Sequence, residues 1–237
     1  MSVTQTKPIE LHYWPTPNGW KVSILLEELG VPYDLKLVNI GTGDQFKPEF
    51  LQIAPNNRMP AIVDPEGPGG EPISVFESGA ILQYLGRKFD KFYPSDERAR
   101  VETEEWLMWQ MGGFGPMLGQ NHHFRIYAPE KIDYAMDRYL NETHRLYGVL
   151  DKRLEGRDFV AAGEYTIADM AILGWAQGWE RQGTDLEEFP NVKRWKEALD
   201  ARPAVQAGLK VGKEEREKFA LDTDKNAQSV LFGQRAR

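Results

Sequence analysis

The stretch Asn57-Arg58-Met59-Pro60-Ala61-Ile62-Val63, read together with Ile73-Ser74-Val75-Phe76-Glu77-Ser78-Gly79, decides the fold. Ala61 to Val63 and Ile73 to Val75 are short apolar runs that read as strands. Between them, Pro65-Glu66-Gly67-Pro68-Gly69-Gly70 is dense in turn formers. That gap has no room for a crossover helix, so the two strands form an antiparallel hairpin. From Glu77 to Lys88 the apolar spacing changes to that of a helix. Upstream of the hairpin, Ala54 to Pro60 is a structured loop that follows a short helix at Pro48 to Ile53. Further back, Ile9 to Trp14 reads as a strand and Pro15-Thr16-Pro17-Asn18-Gly19 breaks it. Trp20 to Leu29 then has helical spacing up to Gly30, and Tyr33 to Asn39 is a second strand.

The resulting order, β-α-β-α-β-β-α, is that of an α/β thioredoxin-like domain over residues 9–88, behind a short N-terminal extension at 1–8. Residues 89–95 read as a linker. Beyond it the pattern is helical: Asp96 to about Met111, Pro129 to Leu154, Thr166 to Trp179, Val192 to Asp200, and a short helix after Pro203. The expected architecture is therefore the thioredoxin-like domain plus an all-α helical-bundle domain at 96–212. A charged tail at 213–237 is expected on the surface or on a partner subunit.

Composition narrows the function. The chain has 237 residues, 41% of them hydrophobic, enough for two modest cores. No apolar run approaches the roughly 20 residues of a membrane helix, and Met1 to Pro8 lacks the apolar centre of a signal peptide, so a soluble, cytoplasmic protein is expected. A net charge of -7 without a Lys/Arg stripe argues against nucleic acid as a partner. With no cysteine, thiolate metal sites, disulfides and a cysteine nucleophile are excluded. His122 and His123 are adjacent, so on a helix they point about 100° apart and cannot share a metal; no metal is expected.

Three short motifs carry candidate chemistry. Met59-Pro60 stands at the end of a loop. If the bond is cis, the Met59 backbone can pair with an extended peptide, whereas the loop alone favours a trans proline that simply closes it. Glu77-Ser78 opens a helix directly after a strand, where helix N–H groups favour an anion. Ser78 can donate to a carboxylate and Glu77 accept from an ammonium, the pair of partners a zwitterionic amino-acid end requires; the competing reading is an ordinary helix cap. Thr16 and Asn18 sit at the start of the first helix, where a thiolate is stabilised, although Thr16-Pro17-Asn18-Gly19 also explains itself as a turn. Thr166-Ile167-Ala168-Asp169 is a capping box and is read as structural. The glycines at 112, 113, 115 and 119, with Pro116, are expected to bend or interrupt a helix.

Together these motifs resemble the glutathione transferase superfamily over about residues 9 to 210. Thr-Pro-Asn-Gly, Gln45-Phe46, Ala54-Pro55-Asn56-Asn57, Phe76-Glu77-Ser78-Gly79-Ala80 and the run Gly112 to Phe124 resemble its bacterial nu-class and the related fungal prion-type branch. The bacterial members are known for glutathione-dependent disulfide reduction. The resemblance implies that Glu77 and Ser78 hold the γ-glutamyl end of glutathione. The Met59 backbone, before a cis Pro60, pairs with the cysteinyl unit, and Thr16 and Asn18 face the sulfur as the catalytic groups. Gln45 and Arg58 are candidates for the glycine carboxylate, and Arg138 for a reach across a homodimer interface. Phe114, Met117, Asn121, His122 and Phe124 are expected to border the second-substrate cleft, with core packing the competing reading for the three apolar ones. Tyr13 lies near the place where other classes carry a catalytic tyrosine, but an aromatic in a strand also packs inward. The activity implied is thiol–disulfide exchange, with glutathione, reduced (one or two per subunit) or oxidised, as the sulfur carrier and a small-molecule disulfide as partner. Conjugation to a small electrophile, and a non-catalytic binding or regulatory role, are the alternatives.

Overall fold

The structure, a computed structural model, describes residues 5–218 and 221–234. It divides into two compact units, Met1–Phe89 with Ala207–Arg237, and Asp90–Gln206.

The first unit is built on four strands, β1 (Ile9–Tyr13), β2 (Tyr33–Leu37), β3 (Ala61–Asp64) and β4 (Ile73–Phe76), in the spatial order β2-β1-β3-β4. β1 and β2 are parallel, with Ile9 opposite Tyr33, and are joined through α1 (Pro17–Leu29). β3 runs antiparallel to both β1 and β4, as the turn-rich spacing requires. α1 begins at Thr16, whose hydroxyl oxygen accepts from Gly19 N, with Pro17 in the first turn, and ends at Gly30 in the left-handed conformation. Gly19 is dictated by space: a Cβ there would stand 2.3 Å from the Trp14 carbonyl oxygen and 2.7 Å from the Tyr13 ring. The first turn of α1 therefore lies directly on the end of β1. α2 (Pro48–Ile53) and α3 (Ser78–Phe89) complete the domain. Ile9, Leu11, Ile24, Leu25, Ile62, Ile81 and Leu85 form its fully buried core.

Residues from Ala207 onward group with this first unit, which differs from the expected division at 212. The division falls within α9 (Pro203–Lys210): Ser23 donates to the Gly208 carbonyl at 2.8 Å and the Tyr13 hydroxyl to the Val211 carbonyl at 3.2 Å. Two short helices follow, α10 (Lys213–Glu217) and α11 (Lys225–Phe232). The Arg216 guanidinium lies over the Trp20 ring, Val230 is beside Gly43, and Asn57 Nδ2 donates to Gln234 Oε1 at 3.4 Å. The described part of the expected tail, residues 213–218 and 221–234, thus contacts its own chain at Trp20, Gly43 and Asn57.

The second unit is all helical: α4 (Glu97–Trp109), α5 (Gly115–His122), α6 (Asp133–Leu154), α7 (Ile167–Ala176) and α8 (Pro190–Asp200), with the first part of α9. α6 begins at Asp133, directly after the extended Ile132 (φ -111, ψ 98), instead of at Pro129. The glycine-rich run does not interrupt the helix. Wide π-type turns at Gln110–Phe114 and His123–Tyr127 flank α5, and the backbone stays helical through them. The Thr166–Asp169 capping box is present, with both reciprocal bonds, and the buried Asp169 also accepts from Val160 N and Trp195 Nε1.

Candidate functional site

The candidate site is assembled at one end of the first unit from three chain segments: the start of α1, the loop before β3, and the start of α3. Thr16 connects the first two. Its oxygen caps α1, which leaves its hydrogen for another acceptor, and Met59 Sδ lies 3.8 Å away. Trp14 N donates to the same sulfur at 3.2 Å. Met59 is seated on an apolar cluster of Val38, Phe50, Ala54 and Ala61, which supports the loop from beneath. The Met59–Pro60 bond is cis, as the resemblance implied and the loop alone did not. Asn18, half-buried, stands in the first turn of α1.

The same loop reaches the third segment. Asn56 Nδ2 donates to the Glu77 carboxylate at 3.2 Å. Glu77 is exposed and sits at φ 67, a left-handed conformation costly for a residue with a side chain. Its carbonyl oxygen accepts from Ile81 N and so starts α3, while Ser78 behind it is buried. Lys21 closes the ring: from α1 its ammonium donates to Ser78 Oγ at 3.4 Å, and the side chain is 1% exposed. Burial pulls its pKa down to about 7, with the Glu77 charge opposing that shift.

The remaining residues of this unit are placed unequally. Gln45 is buried, with its amide nitrogen on the Ile40 carbonyl at 3.1 Å, and Oε1 has no partner among the described residues. A buried amide oxygen left open is costly unless something donates to it. It is consistent with a ligand group there, but as an acceptor, which suits an N–H better than the carboxylate expected from the sequence. Arg58 is exposed at the loop tip. Tyr13 is fully buried with its hydroxyl on the Val211 carbonyl, and burial pushes its pKa well above the ordinary phenol value. This is the inward packing expected of an aromatic in a strand.

In the helical unit, the residues expected at the second-substrate cleft divide. Phe114 is a correction: it is fully buried, stacked on Trp109 at 5.1 Å and edge-on to Tyr147 at 5.3 Å. Asn121 is another, fully buried and donating to the Gln182 carbonyl at 2.8 Å, in a network where Gln182 also binds the Tyr147 hydroxyl. Met117, His122 and Phe124 are half-buried, with Phe124 stacked on Tyr139 at 5.4 Å. Arg138 lies on α6, 55% exposed, and pairs with Glu142 at 3.7 Å. Among the described residues no group of His, Asp or Glu side chains is arranged to hold a metal ion.

Lys21 was missed by the sequence reading, although a signal was present. Trp20, Val22, Ile24, Leu25 and Leu26 make α1 apolar nearly all round, and a lysine inside a buried helix must be paired. The return of the tail to Trp20, Gly43 and Asn57 had no signal in the sequence, because each of those contacts is remote along the chain.

A thioredoxin-like unit with a cis proline opposite a helix-start Glu-Ser pair, followed by an all-helical unit, defines a glutathione transferase architecture. Residues 8–87 match the glutathione S-transferase N-terminal domain family and residues 114–203 the C-terminal domain family, and the chain belongs to the glutathione S-transferase family. It is 52% identical over 202 residues to the disulfide-bond oxidoreductase YfcG of Escherichia coli, covering 85% of this chain and 94% of that one. Among solved structures it is similar to a glutathione transferase from Pseudomonas putida with one glutathione disulfide bound per subunit. That match has a TM-score of 0.83 and 45% identity, covering 88% of this chain and 94% of that one. A glutathione transferase from Burkholderia graminis with two glutathione molecules per subunit matches with a TM-score of 0.82 and 46% identity, over 87% and 89% of the two chains.

Proposed function

We propose that this chain is a glutathione-dependent disulfide-bond reductase that positions and ionises glutathione while supplying no sulfur of its own. The observation that carries the reading is the Thr16 hydroxyl: its oxygen is occupied by the helix cap and its hydrogen faces a sulfur atom, in a chain without cysteine. A thiolate is a far stronger acceptor than the Met59 thioether. The similarity to a relative named as a disulfide-bond oxidoreductase, and to glutathione-bound transferases, supports the same reading.

In this account Glu77 accepts from the γ-glutamyl ammonium, and Ser78 at the start of α3 donates to its carboxylate. The Met59 backbone pairs with the cysteinyl unit. Gln45 and Arg58 serve the glycyl end, Gln45 through its open amide oxygen. Thr16, Asn18 and the N-terminus of α1 lower the thiol pKa. A free thiol titrates near 8.5 and a two-unit drop requires about 2.7 kcal/mol. One hydrogen bond to an anion supplies about 1.5–3 kcal/mol and a helix terminus about 0.3–1. No general base is needed.

The glutathione thiolate attacks one sulfur of a small disulfide, forming a mixed disulfide and expelling one thiolate. A second glutathione thiolate attacks the glutathione sulfur of that mixed disulfide, giving glutathione disulfide and the second thiolate. The two protons lost by glutathione end on the two released thiols. Met117, His122 and Phe124 are proposed for the second-substrate side. The chain acts as a cytoplasmic homodimer with Arg138 reaching the neighbouring subunit. Exposed Val101 and Met108 on α4 and Phe76 on β4 support that assembly, and light scattering at micromolar protein tests it. Among the described residues no helix is long and apolar enough to cross a membrane.

Calorimetry tests the site: the chain binds glutathione and glutathione disulfide, and Ser78→Ala weakens both by roughly tenfold or more. No binding by the wild type refutes the reading.

A further inference from the structure

Lys21 is an ionisable side chain with 1% exposure on a helix that is otherwise apolar nearly all round, and the mechanism above makes no use of it. Its Nζ lies 3.4 Å from Ser78 Oγ. Protonated, Lys21 has three donors and no acceptor, so in this contact the Ser78 oxygen then accepts and its own hydrogen is turned elsewhere. We infer that Lys21 is a positioning residue for carboxylate recognition, holding the Ser78 hydroxyl as a donor to the α-carboxylate of a γ-glutamyl substrate. The inference rests on the glutathione reading of this site and names a residue which that reading did not require.

Two further features agree with it. Lys21 brings positive charge beneath the start of α3, where the helix N-terminus already favours an anion. It is also poised to respond to one, since burial has pulled its pKa down to about 7. A carboxylate arriving at Ser78 adds negative charge beside the ammonium and favours its protonated form. Glu77 acts on Lys21 from the start of α3, and Arg216 stands over the ring of the preceding residue, Trp20. Arg87 and Lys88 are in the last turn of α3, Lys210 ends α9, and Glu27 and Glu28 lie about two turns along α1. The competing role is a plain brace between α1 and α3, which makes no distinction between ligands.

The experiment compares wild type with Lys21→Met by calorimetry on two ligands. One is S-methylglutathione, which has no ionising thiol. The other is its analogue with a 4-aminobutyryl group in place of γ-glutamyl, which lacks only the α-carboxylate. Lys21→Met is expected to weaken S-methylglutathione by roughly ten- to a hundredfold and to leave the analogue within about twofold. Equal losses on both ligands, or none on either, overturn the inference. Wild type that does not bind S-methylglutathione removes the site and the inference together, whereas binding unaffected by Lys21→Met removes the inference alone. If Lys21→Met does not fold, wild-type titrations near pH 7 in buffers of different ionisation enthalpy decide. Uptake of up to roughly half a proton with S-methylglutathione, and none with the analogue, is expected from a lysine titrating at about 7; equal uptake overturns it.

Discussion

Thr16→Val removes the hydroxyl while keeping the branched shape, and the structure separates its two consequences. The lost cap on Gly19 N costs about 1 kcal/mol of stability, or about 2–4 °C in Tm for a chain of this size. The lost donor to the bound thiolate costs about 1.5–3 kcal/mol, which raises the bound thiol's pKa by about 1–2 units from a value near 6.5. A less acidic thiolate is also more nucleophilic, with a Brønsted slope of about 0.4–0.5, so part of the loss is returned. For a shift of about 1.5 units, the variant is slower by about fivefold at pH 6 and about twofold at pH 7, and faster by about fourfold at pH 9. The assay is the initial rate of disulfide reduction at saturating glutathione between pH 5.5 and 9.5, with Thr16→Ser as the variant that restores both functions. A uniform loss at every pH, or an unshifted profile, refutes the assignment of Thr16 to the sulfur and leaves it a helix cap.

Tyr13→Phe should retain its turnover within about twofold and lose about 1 kcal/mol of stability in urea unfolding, because the hydroxyl is spent on the Val211 carbonyl. Gly19→Ala should lower both Tm and glutathione affinity, since its Cβ would press to 2.3 Å from the Trp14 carbonyl oxygen and push α1 off β1; unchanged calorimetry contradicts that geometry. Asp169→Asn should unfold several degrees earlier, because two of the four donors aimed at the carboxylate would meet an NH2 group. Burial raises the Asp169 pKa to about 6. The native state therefore holds a proton that the unfolded chain has released, and this group's contribution to stability falls as pH rises from about 4 to 6. The gap between wild type and Asp169→Asn in urea unfolding should narrow over that window and stay constant above it.

The hairpin and the helix after it were legible because their signals are local. Glycine and proline mark the turn between β3 and β4, and Gly30 ends α1 at the position expected of a left-handed cap. The placement of Glu77-Ser78 and of Thr16 could be read for the same reason, each standing at a helix start. What could not be read depends on partners far along the chain. At Gly119 the Trp175 ring packs where a Cβ would come within 3.1 Å, so a residue that suggested a bent or interrupted helix marks a closely packed one. Phe114 and Asn121 carry side chains suited to a cleft, and only Trp109, Tyr147 and Gln182 make them core. Lys21 is the reverse case, a residue that reads as surface until the apolar character of the whole of α1 is taken into account.

The central claim is that a chain without cysteine reduces disulfides using glutathione sulfur alone. The direct measurement is turnover by the purified chain with glutathione and a small dialkyl disulfide, set against a chlorinated aromatic at the same glutathione concentration. One glutathione disulfide is expected to form and two thiols to be released per disulfide consumed, at a rate well above both uncatalysed exchange and aromatic conjugation. Disulfide turnover no faster than the uncatalysed reaction contradicts it: brisk conjugation of the aromatic would then make the chain a conjugating transferase, and tight glutathione binding with neither reaction would make it a binding protein.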